Sequence, residues 1–209
     1  MVAKIFEGLA KLFEIKIKVL IHKTNEPAEK GIGPVLETRE ALRVLEQTKD
    51  RPLDLELRSI NLAGNLLDLC LVDSATNLQR EIKEKHGNGI GWATHLLQQG
   101  DALQKMKEII KAQGGNDTIT SHDLKPGKHH FKVLAERHGT IENINSRNLT
   151  VIAKILGAPT QKGAGIYLNK KIREKVVKGE LIYTLYSEKE YNLKEAKDSL
   201  KNLELMEIK

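Results

Sequence analysis

The sequence contains little of what several classes of protein require. It has one cysteine in 209 residues, so an intrachain disulfide is excluded, and Cys70, which lies among leucines, is expected to be a small buried apolar residue. The longest apolar stretch, residues 66–72, is interrupted by Asp68 and is much shorter than the roughly 20 residues that span a membrane. Glu7 and Glu14 interrupt any apolar signal region, which indicates a cytoplasmic protein without a membrane partner.

Aromatic residues are also scarce, at 4% of the chain. The net charge of +6 comes from 34 Lys and Arg against 28 Asp and Glu, and the two signs are interspersed along the sequence. Proteins that bind nucleic acid usually carry a clustered basic surface with aromatic side chains for base stacking. The sequence therefore predicts no nucleic-acid partner. Its 40% hydrophobic and 30% charged residues are typical of a globular protein.

The first half of the chain is predicted to be mostly helical. Apolar residues recur at helical spacing, with Gly87 and Gly114 at helix ends, in residues 2–13, 34–47, 53–72, 75–85 and 101–113. Residues 15–21 alternate apolar residues with lysine and predict one strand. Pro34 stands at the expected first turn of its helix, after a loop that contains Gly31 and Gly33.

The second half predicts a small α+β domain. A segment rich in turn-forming residues, 114–128, separates it from the helices and predicts a linker. Strands are predicted at 131–136, 140–144, 165–168 and 181–186, and helices at 147–156 and 193–203.

Three local patterns suggest a site, and each has a simpler explanation. The segment "QKGAGIYL" at 161–168 lacks the Gly-Lys-Ser/Thr of a phosphate loop and predicts a tight turn before a strand. His129 and His130 are adjacent on a predicted strand, so they point to opposite faces and cannot easily share a metal ion. The string "REKVVKGELIYTLYSEKE" resembles the hairpin of biotinyl and lipoyl carrier domains, with Lys189 at the modified position, but the residues flanking Lys189 do not match.

Two longer stretches carry a more extensive resemblance. "GIGPVLETREAL" at 31–42 resembles a glycine-led turn that enters a helix in the thymidine and pyrimidine nucleoside phosphorylase superfamily. "ALQKMKEIIKAQGGN" at 102–116 and residues 139–187 resemble a helix end and the C-terminal domain of the same superfamily. Pro34 replaces an asparagine that is common in the bacterial enzymes, which makes the chain similar to the archaeal-type AMP phosphorylase branch.

The resemblance implies an α/β fold in two parts and an oligomer. Residues 1–116 would be the C-terminal part of the central α/β phosphorylase domain, and residues 117–128 a linker. Residues 129–209 would form a small, hybrid-barrel-like α+β domain. Members of the superfamily assemble at least as dimers, so a homo-oligomer is expected.

The resemblance also implies a reaction. AMP and phosphate would give adenine and ribose 1,5-bisphosphate, with phosphate as co-substrate and no required cofactor. The superfamily's catalytic and substrate-binding motifs lie upstream of the matched region, and none of them occurs in this sequence. We therefore expect the chain to be inactive alone, with no catalytic or substrate-binding residue of its own. A fragment of a thymidine or pyrimidine nucleoside phosphorylase and a non-catalytic assembly module are the alternatives.

One ligand site follows from the resemblance. Some bacterial members hold a potassium ion with two backbone carbonyls in the glycine-led turn and a glutamate in the next helix. By order these correspond to Ala28, Gly31 and Glu40. Oxygen ligands suit such a hard cation. The alternative is that Glu40 is a solvated or salt-bridged residue of its helix.

Overall fold

A computed structural model describes residues 2–209 of the chain, and within them the fold is mixed α/β, as predicted. Eight helices occur in this range: α1 Val2–Leu12, α2 Pro34–Leu45, α3 Leu53–Leu71, α4 Thr76–His86, α5 Gly89–Gln98, α6 Asp101–Ala112, α7 Ser146–Leu156 and α8 Glu190–Ser199. Seven strands accompany them: β1 Gly31–Ile32, β2 His129–Leu134, β3 Gly139–Ile144, β4 Gly165–Leu168, β5 Lys175–Val176, β6 Leu181–Ser187 and β7 Met206–Ile208.

The chain packs as two compact units. Residues 2–23 and 53–117 form the first, and residues 24–52 and 118–209 form the second. Residues 24–52, which hold β1 and α2, thus belong to the same compact unit as the second half of the sequence. The domain bounds 1–116, 117–128 and 129–209 stay a prediction, because packing units and inherited domains need not coincide.

All the regular secondary structure among the described residues of the first unit is helical. Gly64 of α3 lies against α5, and a Cβ there would stand 2.5 Å from Ile90 Cα. Asp68 Oδ1 accepts a hydrogen bond of 2.6 Å from the amide of Gly89 at the first residue of α5. Helix α5 was not predicted from the sequence; Asn88 caps it by accepting from the Gly91 amide.

Two predictions fail in this unit. Residues 15–21 form no strand, because none of the described residues of the unit is a strand that could pair with them. Cys70 is exposed and not buried, since α3 buries the side that carries Gly64 and leaves the Cys70 side open. Among the described residues, no helix is long and apolar enough to cross a bilayer.

The second unit contains all the strands of the described chain. A four-stranded antiparallel sheet has the order β1-β4-β6-β2, and a three-stranded antiparallel sheet has the order β5-β3-β7. Helices α7 and α8 pack together, and α7 lies against β4. The apolar core includes Ile141, Ile152, Leu156, Ile166 and Leu185, each fully buried.

The predicted strands of this unit are confirmed within a few residues, and so is the helix at 147–156. The final helix begins at Glu190, three residues before its predicted start. The sequence did not predict β1, β5 and β7, which are two or three residues long. Strands this short carry too few residues to show an alternating pattern, and their existence depends on the partner strands.

Candidate functional site

The candidate site is the turn that leads into α2, residues 24–33, together with the first half of that helix. Gly33 ends the turn with a φ of +120°, and Pro34 begins the helix as its first residue. A Cβ at Gly33 would lie 2.3 Å from the Ala164 carbonyl oxygen, so only glycine fits between this turn and β4. The close approach of the turn to Ala164 therefore requires glycine at position 33.

Glu40 points back from α2 into the turn. Its Oε2 atom accepts hydrogen bonds of 2.9 Å from the amides of Lys30 and Gly31, and the residue is only 2% exposed. Burial raises the pKa of the Glu40 carboxyl above its ordinary value, and the two amide bonds oppose that shift. Glu40 is therefore neither a solvated surface residue nor the partner of a salt bridge: it is the buried acceptor that closes the turn.

Tyr167 lies close to this carboxylate, and Arg39 lies over the Tyr167 ring. Burial raises the pKa of the Tyr167 phenol, and the negative charge of Glu40 raises it further. The Arg39 guanidinium stands over the Tyr167 ring at 5.5 Å from its centroid. Tyr167 is paired with Gly31 in the antiparallel ladder between β4 and β1. The turn thus packs against β4 through both its backbone and its side chains.

A second segment, residues 168–172, holds the other side of the turn. The Lys171 ammonium donates a hydrogen bond of 2.8 Å to the Ala28 carbonyl oxygen, and the Ile172 amide donates one of 2.8 Å to the Glu26 carboxylate. The Leu168 amide donates one of 2.8 Å to the Lys30 carbonyl oxygen. Three successive parts of the turn are therefore bonded to one segment of chain that lies about 140 residues later in the sequence.

The three residues predicted to bind potassium are thus brought into one turn and its helix, but the Ala28 carbonyl oxygen and Glu40 Oε2 already have partners. The Ala28 carbonyl accepts from an ammonium group, and the Glu40 carboxylate accepts from two amides. This arrangement fits a potassium ion poorly, because the ion would have to share its ligands with a lysine of the same charge. The potassium site stays a prediction. Lys171 was missed because nothing in the local sequence links it to a turn 143 residues away.

The other local patterns do not assemble a site. The 161–168 segment forms a turn and then β4, as predicted, and the Gly163 amide is already bonded to the Glu188 carboxylate at 2.8 Å. Lys189 precedes α8 as its N-cap and is not at the tip of a hairpin, which differs from the carrier-domain pattern. Within residues 2–209, no three His, Cys, Asp or Glu side chains stand close enough together to hold a metal ion.

In comparison with known proteins, the matching family model and the similar proteins all carry the names of phosphorylases. Residues 140–206 match the family described as the pyrimidine nucleoside phosphorylase C-terminal domain. The chain is 38% identical over 194 residues to the AMP phosphorylase of Methanocaldococcus jannaschii, covering 93% of this chain and 36% of that protein. It is 38% identical over 182 residues to the AMP phosphorylase of Methanosarcina barkeri, covering 87% of this chain and 34% of that protein.

A relative with a different name matches almost as well. The chain is 37% identical over 184 residues to a putative thymidine phosphorylase of Nitrobacter hamburgensis, covering 88% of this chain and 33% of that protein. The chain thus spans about a third of the length of the curated relatives that it matches. These matches confirm the resemblance found in the sequence.

Proposed function

We propose that this chain is the C-terminal portion of an AMP phosphorylase. Residues 140–206 match the pyrimidine nucleoside phosphorylase C-terminal domain, and the chain is similar to an AMP phosphorylase along most of its length. The observation that carries the proposal is the 38% identity to an AMP phosphorylase over 93% of the chain. Such identity extends well beyond residues 140–206, so it includes the helical unit as well as the C-terminal domain.

The reaction we propose for the whole enzyme is phosphorolysis of AMP. A phosphate oxygen attacks the anomeric carbon of the ribose, and the bond from that carbon to the base breaks. The departing adenine takes up the proton that the attacking hydrogen phosphate gives up. The products are adenine and ribose 1,5-bisphosphate. Catalysis requires groups that orient phosphate and stabilise the positive charge that develops on the sugar ring. In this proposal a segment outside the present chain supplies those groups, and the chain supplies the scaffold.

We propose that the whole enzyme is a cytoplasmic homo-oligomer. The support for self-association is the exposed apolar surface of α1, where Phe6 is 59% exposed and Leu12 is 74% exposed. Exposed apolar residues clustered on one element commonly mark a contact with another chain or domain. AMP and phosphate are the proposed small-molecule partners.

Two chimaeras test the proposal. Each joins this chain to the part of a relative that the chain does not match, taken either from the M. barkeri AMP phosphorylase or from the N. hamburgensis putative thymidine phosphorylase. Phosphate-dependent release of adenine from AMP and of thymine from thymidine is then measured. We expect the first chimaera to release adenine and the second to remain inactive. The unmatched parts alone and the two intact relatives are the controls.

The second candidate is a thymidine phosphorylase portion, favoured by the 37% identity to the N. hamburgensis protein. Activity of the thymidine chimaera alone would assign the chain to that branch. Two folded but inactive chimaeras would contradict both assignments and leave a non-catalytic assembly module.

The chain by itself is the third arm of the experiment. We expect no adenine from AMP and phosphate when the purified chain is incubated alone at a concentration at which an intact relative is readily active. Phosphate-dependent release of adenine by the chain would show that it holds its own catalytic groups.

A further inference from the structure

A charged side chain of the protein itself, the Lys171 ammonium, bonds the turn at residues 24–33. We propose that the Lys171 ammonium holds the Ala28 carbonyl in place of a bound monovalent cation, so that this part of the turn is held without a metal ion. The proposal concerns the stability of the second unit and does not depend on the proposed reaction.

The first step is the position of the charge. Lys171 Nζ lies 2.8 Å from the Ala28 carbonyl oxygen, which is the distance of a good hydrogen bond from a charged donor. Ala28 is one of the two carbonyl residues that the family resemblance implies as ion ligands. A metal ion at this carbonyl would stand within a few ångströms of the ammonium, where like charges repel strongly. The carbonyl therefore serves one cation, and that cation is the lysine.

The second step is how the lysine is held. The next residue, Ile172, donates its amide to the Glu26 carboxylate at 2.8 Å, so the backbone that carries Lys171 is itself bonded to the turn. The Leu168 amide adds a bond to the Lys30 carbonyl oxygen. A cation that belongs to the chain and is positioned on both sides does not have to be recruited from solution. It also keeps its place whichever salt is present.

The third step is the state of the glutamate. Glu40 Oε2 is already shared by the amides of Lys30 and Gly31, both at 2.9 Å. These two donors belong to the same turn as Ala28. The backbone amides thus bond one oxygen of the buried carboxylate, and the ammonium bonds the carbonyl on the preceding part of the turn. Groups of the chain itself therefore occupy Glu40 Oε2 and the Ala28 carbonyl oxygen.

The test measures the thermal unfolding of the purified chain in potassium, sodium and choline chloride at equal ionic strength. All four tyrosines lie in the second unit and the single tryptophan, Trp92, lies in the first, so tyrosine absorbance reports the unit of interest. For the unaltered chain we expect the same tyrosine-detected Tm in the three salts. A potassium-specific increase in that Tm would overturn the proposal, and this arm requires no variant.

The variant arm removes the ammonium. We expect Lys171→Ala to lower the tyrosine-detected Tm by about 4 °C or more in choline chloride, since a unit of this size loses a few degrees per lost charged bond. Potassium should restore part of the loss, because the carbonyl is now open to an ion. Lys170→Ala is the matched control: Lys170 pairs with Glu180 at 2.5 Å and does not bond the turn. The Tm of Lys170→Ala should not depend on which cation is present.

Three results of the variant arm would contradict the proposal. The first is that Lys171→Ala lowers the Tm no more than Lys170→Ala does. The second is that Lys171→Ala lowers the Tm but unfolds at the same Tm in potassium as in sodium and choline. If the alanine variant does not fold, Lys171→Arg keeps a cation and should unfold within about 2 °C of the unaltered chain. The third is a larger decrease in Tm for Lys171→Arg than for Lys171→Met, which would show that charge at this position does not stabilise the turn.

Discussion

At the scale of the residue, Glu40 shows how one buried carboxylate can organise a turn. It is 2% exposed, and both of its observed partners are backbone amides. Buried amides without an acceptor are costly, because they have left water without gaining another partner. The carboxylate therefore contributes to stability through the groups that it satisfies, although its own burial opposes its charge.

We expect Glu40→Ala to lower the free energy of unfolding of the second unit by about 3 kcal/mol, because two amides lose their acceptor. Urea unfolding followed by tyrosine absorbance measures this. Glu37→Ala is the matched control: Glu37 lies on the same helix, is exposed, and accepts from the Gly33 amide at 2.9 Å. A loss in Glu40→Ala no larger than in Glu37→Ala would contradict the role given to Glu40.

The pH dependence of stability gives an independent test of the same residue. Burial raises the pKa of Glu40 above its ordinary value of 4.5, so the folded protein binds this proton more tightly than the unfolded chain does. The stability that this group contributes is therefore fully present at low pH and is lost as the pH rises through the raised pKa. Glu40→Gln removes the titration.

We expect the difference in unfolding free energy between the unaltered chain and Glu40→Gln to shift in favour of the variant as the pH rises above 4.5. Urea unfolding at several pH values between about 4 and 7 measures the difference. A difference that shifts in favour of the unaltered chain over this range would mean that the amide bonds outweigh burial.

At the scale of the element, close backbone contacts set how β1 joins the sheet. Gly165 of β4 lies against β1, and a Cβ at that position would stand 2.1 Å from the Ile32 carbonyl oxygen. Backbone atoms cannot move aside as a flexible side chain can. The pairing of a two-residue strand therefore depends on the absence of a side chain from its partner.

We expect Gly165→Ala to destabilise the second unit by about 3 kcal/mol or more, because the new methyl group must push two strands apart. Tyrosine absorbance should detect the loss, and the Trp92 signal of the first unit should not change. Gly179→Ala is the control, with a φ of +84° and open space around the Cβ position, so backbone strain alone should cost about 1 kcal/mol. Equal losses in the two variants would contradict the contact argument.

A contact at the other end of α2 joins the same segment to the second half of the chain. Glu46 accepts from the Ser121 amide at 2.9 Å and from the Ser121 hydroxyl at 2.5 Å, and Ser121 is buried. Together with the bonds at the turn, this contact explains why residues 24–52 belong to one unit with residues 118–209.

At the scale of the whole molecule, the exposed apolar surface of α1 predicts self-association. We expect the mass from light scattering to rise with the concentration of the chain, and the double variant Phe6→Glu, Leu12→Glu to weaken association about tenfold or more. Tyr191→Glu is the control, because Tyr191 is 71% exposed but lies on α8 in the second unit. A chain that remains monomeric at every concentration would contradict the prediction.

The sequence alone determined the elements with strong patterns. Amphipathic spacing predicted α2, α3, α6 and α7 nearly to their ends, and runs of strand-forming residues between turn segments predicted β2, β3, β4 and β6. These elements are long enough, or apolar enough, for the local pattern to outweigh other influences. The order of the matched segments was also sufficient to identify the family, since family resemblance resides in the sequence itself.

The tertiary structure alone decided the remaining features. Residues 15–21 show a strand pattern but form no strand, whereas β1 has almost no pattern and pairs with β4, because a strand depends on a neighbour that local sequence does not specify. The sequence placed Ala28, Gly31 and Glu40 in one region, but only the fold brought Lys171 to the Ala28 carbonyl from 143 residues away. Which cation closes this turn is therefore a property of long-range packing and not of any motif.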